Sequence, residues 1–203
     1  MGKGERTREG ILRQALDLAS LVGLEGITIG SLAQRSGMSK SGLYAHFGSK
    51  EELQTAVLEA AGELFRDRVF RPALAEPRGL PRLRALFRNW LDWSAGTLSG
   101  GCPFVAAAAE FDDRPGPVRQ ALIARLAEVT EMIERAVRLA IEEGHLDPRT
   151  DPAQFAFEVW GVALAFHRAF RLTGRDEARA RARQAFERLL RDAAPAAQPA
   201  SAT

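Results

Sequence analysis

Apolar residues recur along this chain at intervals of three and four, the spacing of one face of an α-helix. Ile11, Leu12, Ala15, Leu16, Ala19 and Val22 make one amphipathic helix over Thr7 to Val22, closed by Gly23. Thr28 caps a short helix from Ile29 to Ser36 with Leu32 and Ala33 inward, and Gly37 supplies the turn after it. Ser39 or Lys40 opens a helix of about seven to nine residues, too short to stand alone. Ser49 caps the next helix, with Glu52 completing a capping box. That helix carries Leu53, Ala56, Val57, Ala60, Ala61, Leu64 and Phe65 and meets no strong breaker before Pro72.

Pro81 starts a helix to about Leu98, with Leu83, Leu86, Phe87, Trp90, Leu91 and Trp93. After the turn Ser99-Gly100-Gly101-Cys102-Pro103, a short alanine-rich helix spans Phe104 to Phe111. A long helix from Pro117 to Glu143 follows, stopped by Gly144. Asp151-Pro152 caps a helix over 153–172 that is apolar nearly all round and therefore needs partners on every side. The last helix runs from Asp176 to Asp192. No strand-like alternation and no repeat occurs, so the expected fold is all-α with about nine helices.

The helix opened by Ser39 carries a distinctive chemistry. Leu43 and Phe47, four apart, anchor one face, while Lys40, Ser41, Gly42, Tyr44 and His46 fall on the others. Ser41 and Gly42 let the backbone approach base edges, and Lys40, Tyr44 and His46 reach phosphates or bases in a major groove. Lys50 lies in the first turn of the following helix, whose positive dipole end also favours phosphate.

Charge sharpens this picture. The net charge of the 203 residues is only +2, yet residues 1–50 hold seven basic side chains against four acidic ones, a surplus of +3. All three lysines, Lys3, Lys40 and Lys50, lie there. Residues 1–6 read as a mobile basic arm, with Arg6 and Arg8 either contacting the DNA backbone or minor groove or simply solvated. The single cysteine, Cys102, excludes an internal disulfide and a cysteine metal cluster. It reads as a small buried hydrophobe, with a redox sensor as the alternative. No run reaches the ~18 apolar residues of a membrane span and the N-terminus is charged, so the expected location is cytoplasmic.

Thr28-Ile29 to Leu32-Ala33, Gly37, Ser39, Leu43-Tyr44-Ala45-His46-Phe47 and Ser49-Lys50-Glu51-Glu52-Leu53 together resemble the DNA-binding domain of the tetracycline-repressor-like (TetR) family, over roughly residues 7 to 58. The resemblance implies a helix-turn-helix domain, 1–48, with a connecting helix from 49, then a regulatory domain for ligand binding and dimerisation, 49–192; the Ala/Pro-rich stretch 193–203 reads as a disordered tail. It implies DNA contacts from Thr28, Ser39, Lys40, Ser41, Gly42, Tyr44, His46 and Lys50. Thr28 would be needed as an N-cap in any case. The resemblance also implies a homodimer in which the last two helices of each subunit form a four-helix bundle. Two readers would then grip half-sites of a palindromic operator about 34–36 Å apart in double-stranded DNA.

In such proteins a small-molecule effector binds between the helices that correspond here to about 49–72, 80–98, 117–143 and 153–172. Trp90, Trp93, Cys102, Phe104, Phe111, Val129, Met132, Phe157, Trp160 and His167 are the candidate lining residues, with ordinary core packing as the alternative for each. A mainly hydrophobic lining points to an uncharged or amphipathic organic compound. His145, His167 and His46 lie far apart, and no phosphate loop, His-Glu-x-x-His or nucleophile elbow is present, so no catalytic residue, metal ligand or cofactor is assigned. The expected function is a ligand-responsive, sequence-specific transcriptional regulator, a repressor released by its effector. The alternative is a non-regulatory architectural DNA-binding protein or a helical enzyme with a helix-turn-helix.

Overall fold

A computed structural model describes residues 3–173 and 175–195. Nine helical segments order the described residues. They are α1 (Lys3–Val22), α2 (Ile29–Ser36), α3 (Lys40–Phe47), α4 (Lys50–Phe65), α5 (Leu80–Asp92), α6 (Pro103–Phe111), α7 (Pro117–Glu142), α8 (Pro152–Leu172) and α9 (Arg175–Asp192).

Two of these helices change pitch rather than stop. α4 widens into a π turn at Arg66–Phe70 and tightens again over Arg71–Leu74. Pro72 accounts for this: it has no N–H for the Arg68 carbonyl, and its ring would collide with that carbonyl at α-helical pitch. α5 likewise passes into a π turn, Trp93–Thr97, before Leu98 turns extended.

The chain divides into two compact units that do not follow sequence order. One joins the chain up to Val69 with Asp92–Glu128, and the other joins Phe70–Leu91 with the chain from Val129 onwards. In the first unit α1 packs against α2, α4 and α6, and α2 against α3. Its core holds Leu16, Ile27, Leu32, Leu43, Phe47, Val57 and Phe65. Trp93 meets the Phe65 ring edge-on at 5.2 Å, and Phe104 meets it at 6.0 Å. In the second unit α8 and α9 form the main helix pair. Phe186 of α9 stacks on Phe87 of α5 at 4.0 Å, with the rings 7° from parallel.

Several expectations need correction. The basic arm is not extended: α1 already begins at Lys3, where Glu5 complements the positive helix start. Arg8 packs its guanidinium 5.3 Å over the Phe47 ring. The capping box expected at Ser49 is half formed. Ser49 Oγ accepts from Glu52 N–H at 3.0 Å, but the backbone N–H of Ser49 goes to the Phe47 carbonyl instead of the Glu52 carboxylate. The full box occurs at the start of α2, where Thr28 accepts from Ser31 N–H at 2.9 Å and Ser31 Oγ accepts from Thr28 N–H at 3.0 Å. The expected disordered tail enters the described residues only as far as Pro195. Ala193 still accepts from Asp147 N–H at 2.8 Å, and 196–203 lie outside the described residues.

Candidate nucleic-acid interface

Two short helices that could not persist alone are held in register by glycine and by caps. Gly37, at φ 68°, reverses the chain after α2 in a left-handed conformation that a side chain would strain. Ser39 then caps α3, its Oγ accepting from Gly42 N–H at 3.1 Å and lying 3.1 Å from Ser41 Oγ. Leu43 and Phe47 are fully buried, which fixes the helix to the first unit and leaves its other faces outward. Lys40, Ser41 and Tyr44 are exposed, Tyr44 by 54%.

The predicted residues fall into three groups. The side chains of Lys40, Tyr44 and His46 carry no hydrogen bond or ion pair among the described residues, and that of Ser41 bonds only to Ser39. Lys40 lays its stem beside Gly30 of α2, with the Cε 3.6 Å from where a Cβ of residue 30 would stand. Thr28 and Ser39 are committed by their hydroxyls to helix caps, and Gly42 is half-buried with little room, since a Cβ there would stand 3.2 Å from Ser39 Oγ. Lys50 is engaged: its ammonium meets Glu25 Oε1 at 2.9 Å. Together with hydrogen bonding from Gln54 and the charge of Arg114, that contact holds the Glu25 carboxyl below its usual range, against the opposing effect of burial.

Sequence reasoning missed the contacts that hold this surface to the rest of the first unit. Asp17 of α1 pairs with Arg35 of α2 at 2.7 Å and accepts from Ser99 N–H at 3.0 Å. The Ser99 amide, ahead of Arg35, keeps the Asp17 carboxyl below the ordinary carboxylate range. Glu110 of α6 accepts from the backbone N–H of Glu25 at 2.8 Å. A carboxylate and a donor it meets 18 to 85 residues away carry no sequence signal of their pairing.

The candidate ligand residues divide between the two units. Trp93, Cys102 and Phe104 cluster in the first, where Phe111 also lies beside Arg114. Cys102 is buried, and that burial pushes its thiol up despite Trp93 beside it, so it sits as a protonated small hydrophobe. In the second unit Trp160 packs edge-on to Trp90 at 4.7 Å and donates its Nε1–H to Thr130 at 3.0 Å, with Val129 buried and Met132 half-buried. His167 is half-buried; burial first, then Arg171, lowers its pKa, and its Nδ1 has no hydrogen-bond partner among the described residues. Phe157 is 73% exposed on α8. No helix among the described residues is long and apolar enough to cross a membrane.

Comparison with known proteins covers both halves of the chain. The family described as "Bacterial regulatory proteins, tetR family" matches residues 11–57, and "Tetracyclin repressor-like, C-terminal domain" matches residues 79–186. The tetracycline repressor protein class C of Escherichia coli is 45% identical over 53 residues, 26% of this chain and 24% of that protein, so the match spans about a quarter of the curated relative. A TetR transcriptional regulator from Chloroflexus aurantiacus J-10-FL is 28% identical, with a TM-score of 0.82 over 94% of this chain and 96% of the other. AibR, solved in complex with isovaleryl coenzyme A and operator DNA, is 27% identical, with a TM-score of 0.73 over 90% of this chain and 98% of its own.

Proposed function

Since the chain belongs to the tetracycline-repressor (TetR) family, we propose that it is a ligand-responsive repressor that binds a palindromic operator as a homodimer. The observation that carries the reading is the outward face of α3. Lys40, Ser41 and Tyr44 are exposed on a helix pinned by Leu43 and Phe47, and neither the Lys40 nor the Tyr44 side chain is tied up in an internal hydrogen bond or ion pair. Free polar groups on a rigid element are what major-groove readout requires. Thr28, Ser39, Gly42, His46 and Lys50 complete the proposed contact set, the cap residues through their backbone positions and Lys50 through phosphate.

The dimer is supported by the exposed apolar stripe of α8. Phe157, Leu164 and Leu172 stand 73%, 46% and 72% exposed, and a groove of about 540 Å³ between α8 and α9 is floored by small residues, among them Gly161, Ala165, Ala178 and Ala182. A second copy related by a two-fold axis would cover both. Phe157 therefore moves from the ligand set to the dimer face. The effector reading rests on the mainly apolar candidates Trp90, Trp93, Cys102, Phe104, Phe111, Val129, Met132 and Trp160. With neutral His167 among them they favour a hydrophobic or amphipathic compound. The fall in operator affinity on binding it equals its preference for the released conformation. A regulator acting on chromosomal DNA belongs in the cytoplasm, and nothing in the family assigns it catalysis.

Selection of bound duplexes from a random library by the purified protein at near-physiological salt tests the reading. One recovered palindrome supports it. A bound pool with no preferred sequence would transfer the weight to an architectural DNA-binding protein.

A further inference from the structure

Glu25, in the link between α1 and α2, draws donors from two other parts of the first unit. Lys50 at the start of α4 lies 2.9 Å from its Oε1. Gln54 Nε2 lies 3.4 Å from its Oε2, and Arg114, in the turn between α6 and α7, lies 3.6 Å from the same oxygen. The carboxylate itself cannot drift far, because the backbone N–H of Glu25 is held by Glu110 at 2.8 Å and Gln54 donates to the neighbouring Leu24 carbonyl at 2.9 Å. One anchored carboxylate is thus shared by two cations. Lys50 and Glu25 keep 40% and 47% of their side chains exposed, so the closer pair is open to exchange with an anion from outside.

Lys50 is also the residue assigned to a DNA phosphate, and its ammonium cannot serve the carboxylate and the phosphate at full strength together. We propose that Glu25 competes with the DNA backbone for Lys50, and that Arg114 takes over Glu25 when Lys50 transfers to phosphate. The exchange leaves no orphan charge: Lys50 gains a phosphate oxygen while the Glu25–Arg114 pair stays neutral. Arg114 therefore sets how readily Lys50 is released, and displacement of the Asp112 to Gly116 turn changes DNA affinity through Glu25. The inference rests on the DNA-binding reading above.

Fluorescence anisotropy of the full chain on a labelled random-sequence duplex of about three helical turns, across a salt series, tests it. Glu25→Gln is expected to tighten binding roughly 1.5- to 5-fold, the range an exposed ion pair supplies. The gain is expected to vanish in the Lys50→Ala background. Arg114→Gln is expected to weaken binding, and to lose that effect when combined with Glu25→Gln. A gain that persists undiminished with Lys50→Ala would mark a general charge effect and overturn the exchange, as would weaker binding by Glu25→Gln, which would make Glu25 a support for Lys50. Failure of the unmodified protein to bind any duplex at low salt would instead overturn the DNA-binding reading itself.

Discussion

The backbone of Gly100 rests directly on that of Ser20. Gly100 N–H donates to Ser20 Oγ at 2.9 Å, Ser20 Oγ donates to the Asp17 carbonyl at 2.7 Å, and a Cβ on residue 100 would overlap the Ser20 carbonyl. The Gly-Gly turn before α6 is therefore a docking point on the last turn of α1, and glycine is there for closeness of approach rather than for flexibility. Gly100→Ala must push the two segments apart at a buried contact. The expected loss is about 1–3 kcal/mol, the usual cost of overpacking, read as a lower urea midpoint. An unchanged midpoint would show that the turn is free to lift away.

Asp17, three residues before Ser20, joins the same turn to α2 through Ser99 and Arg35. Its folded pKa lies below its ordinary value of 3.8, so its contribution is present above that value and disappears as pH falls through the lower folded pKa. Asp17→Asn keeps an acceptor for Ser99 N–H and loses the charge. It is expected to cost about 1 kcal/mol or less near neutral pH, since solvent screens a partly exposed pair. Thermal midpoints of the variant and the parent should converge below pH 3.8. A gap that stays constant with pH would remove the charge from the explanation.

On α3, Tyr44 and Lys40 are separable in effect. Both side chains are exposed and free of internal hydrogen bonds and ion pairs, so replacing either by alanine should move stability by no more than about 0.5 kcal/mol. Tyr44→Ala is expected to weaken binding to all duplexes alike. Lys40→Ala is expected to change which bases are preferred, and Lys50→Ala to weaken binding uniformly and reduce the salt slope by about one. Repeating the library selection with each variant reads the difference directly. An unaltered consensus from Lys40→Ala would place its ammonium on phosphate instead of a base.

The exposed stripe on α8 gives a prediction about assembly. Phe157→Glu places a charge where an aromatic ring stands 73% exposed, which an isolated chain tolerates and a dimer interface does not. Sedimentation should show the parent as a dimer and the variant shifted to monomer at the same concentration, with helical content retained. The variant should also lose most of its affinity for a palindrome, because the two half-sites no longer act together. A variant that sediments with the parent would place the interface elsewhere.

The residues that make helices and caps act over three or four positions, and those were legible from the chain alone. The period of Ile11 to Val22, the caps at Thr28, Ser39 and Ser49, the left-handed Gly37 and the buried pair Leu43 and Phe47 all depend on neighbours in sequence, so their pattern specifies α2, α3, the end of α1 and the start of α4 almost to the residue. The same locality identified Lys40, Ser41 and Tyr44 as outward. It misjudged Lys3 to Arg6, because an arm and a helix start share the same charged composition, and in the folded chain these residues already belong to α1, whose Arg8 packs on Phe47.

What the tertiary structure alone decided is which charges and which helices meet. Lys50 with Glu25, Asp17 with Arg35 and Ser99, and Glu110 with the Glu25 amide join positions far apart in the chain, and a carboxylate carries no mark of the cation it will reach. Likewise the aromatic residues were recognisable as apolar, while their division between two compact units and the exposure of Phe157 followed from how the helices close. Local backbone preference and hydrophobic period are properties of a segment; ionic partnership and solvent exposure are properties of a packing, and only the packed chain contains them.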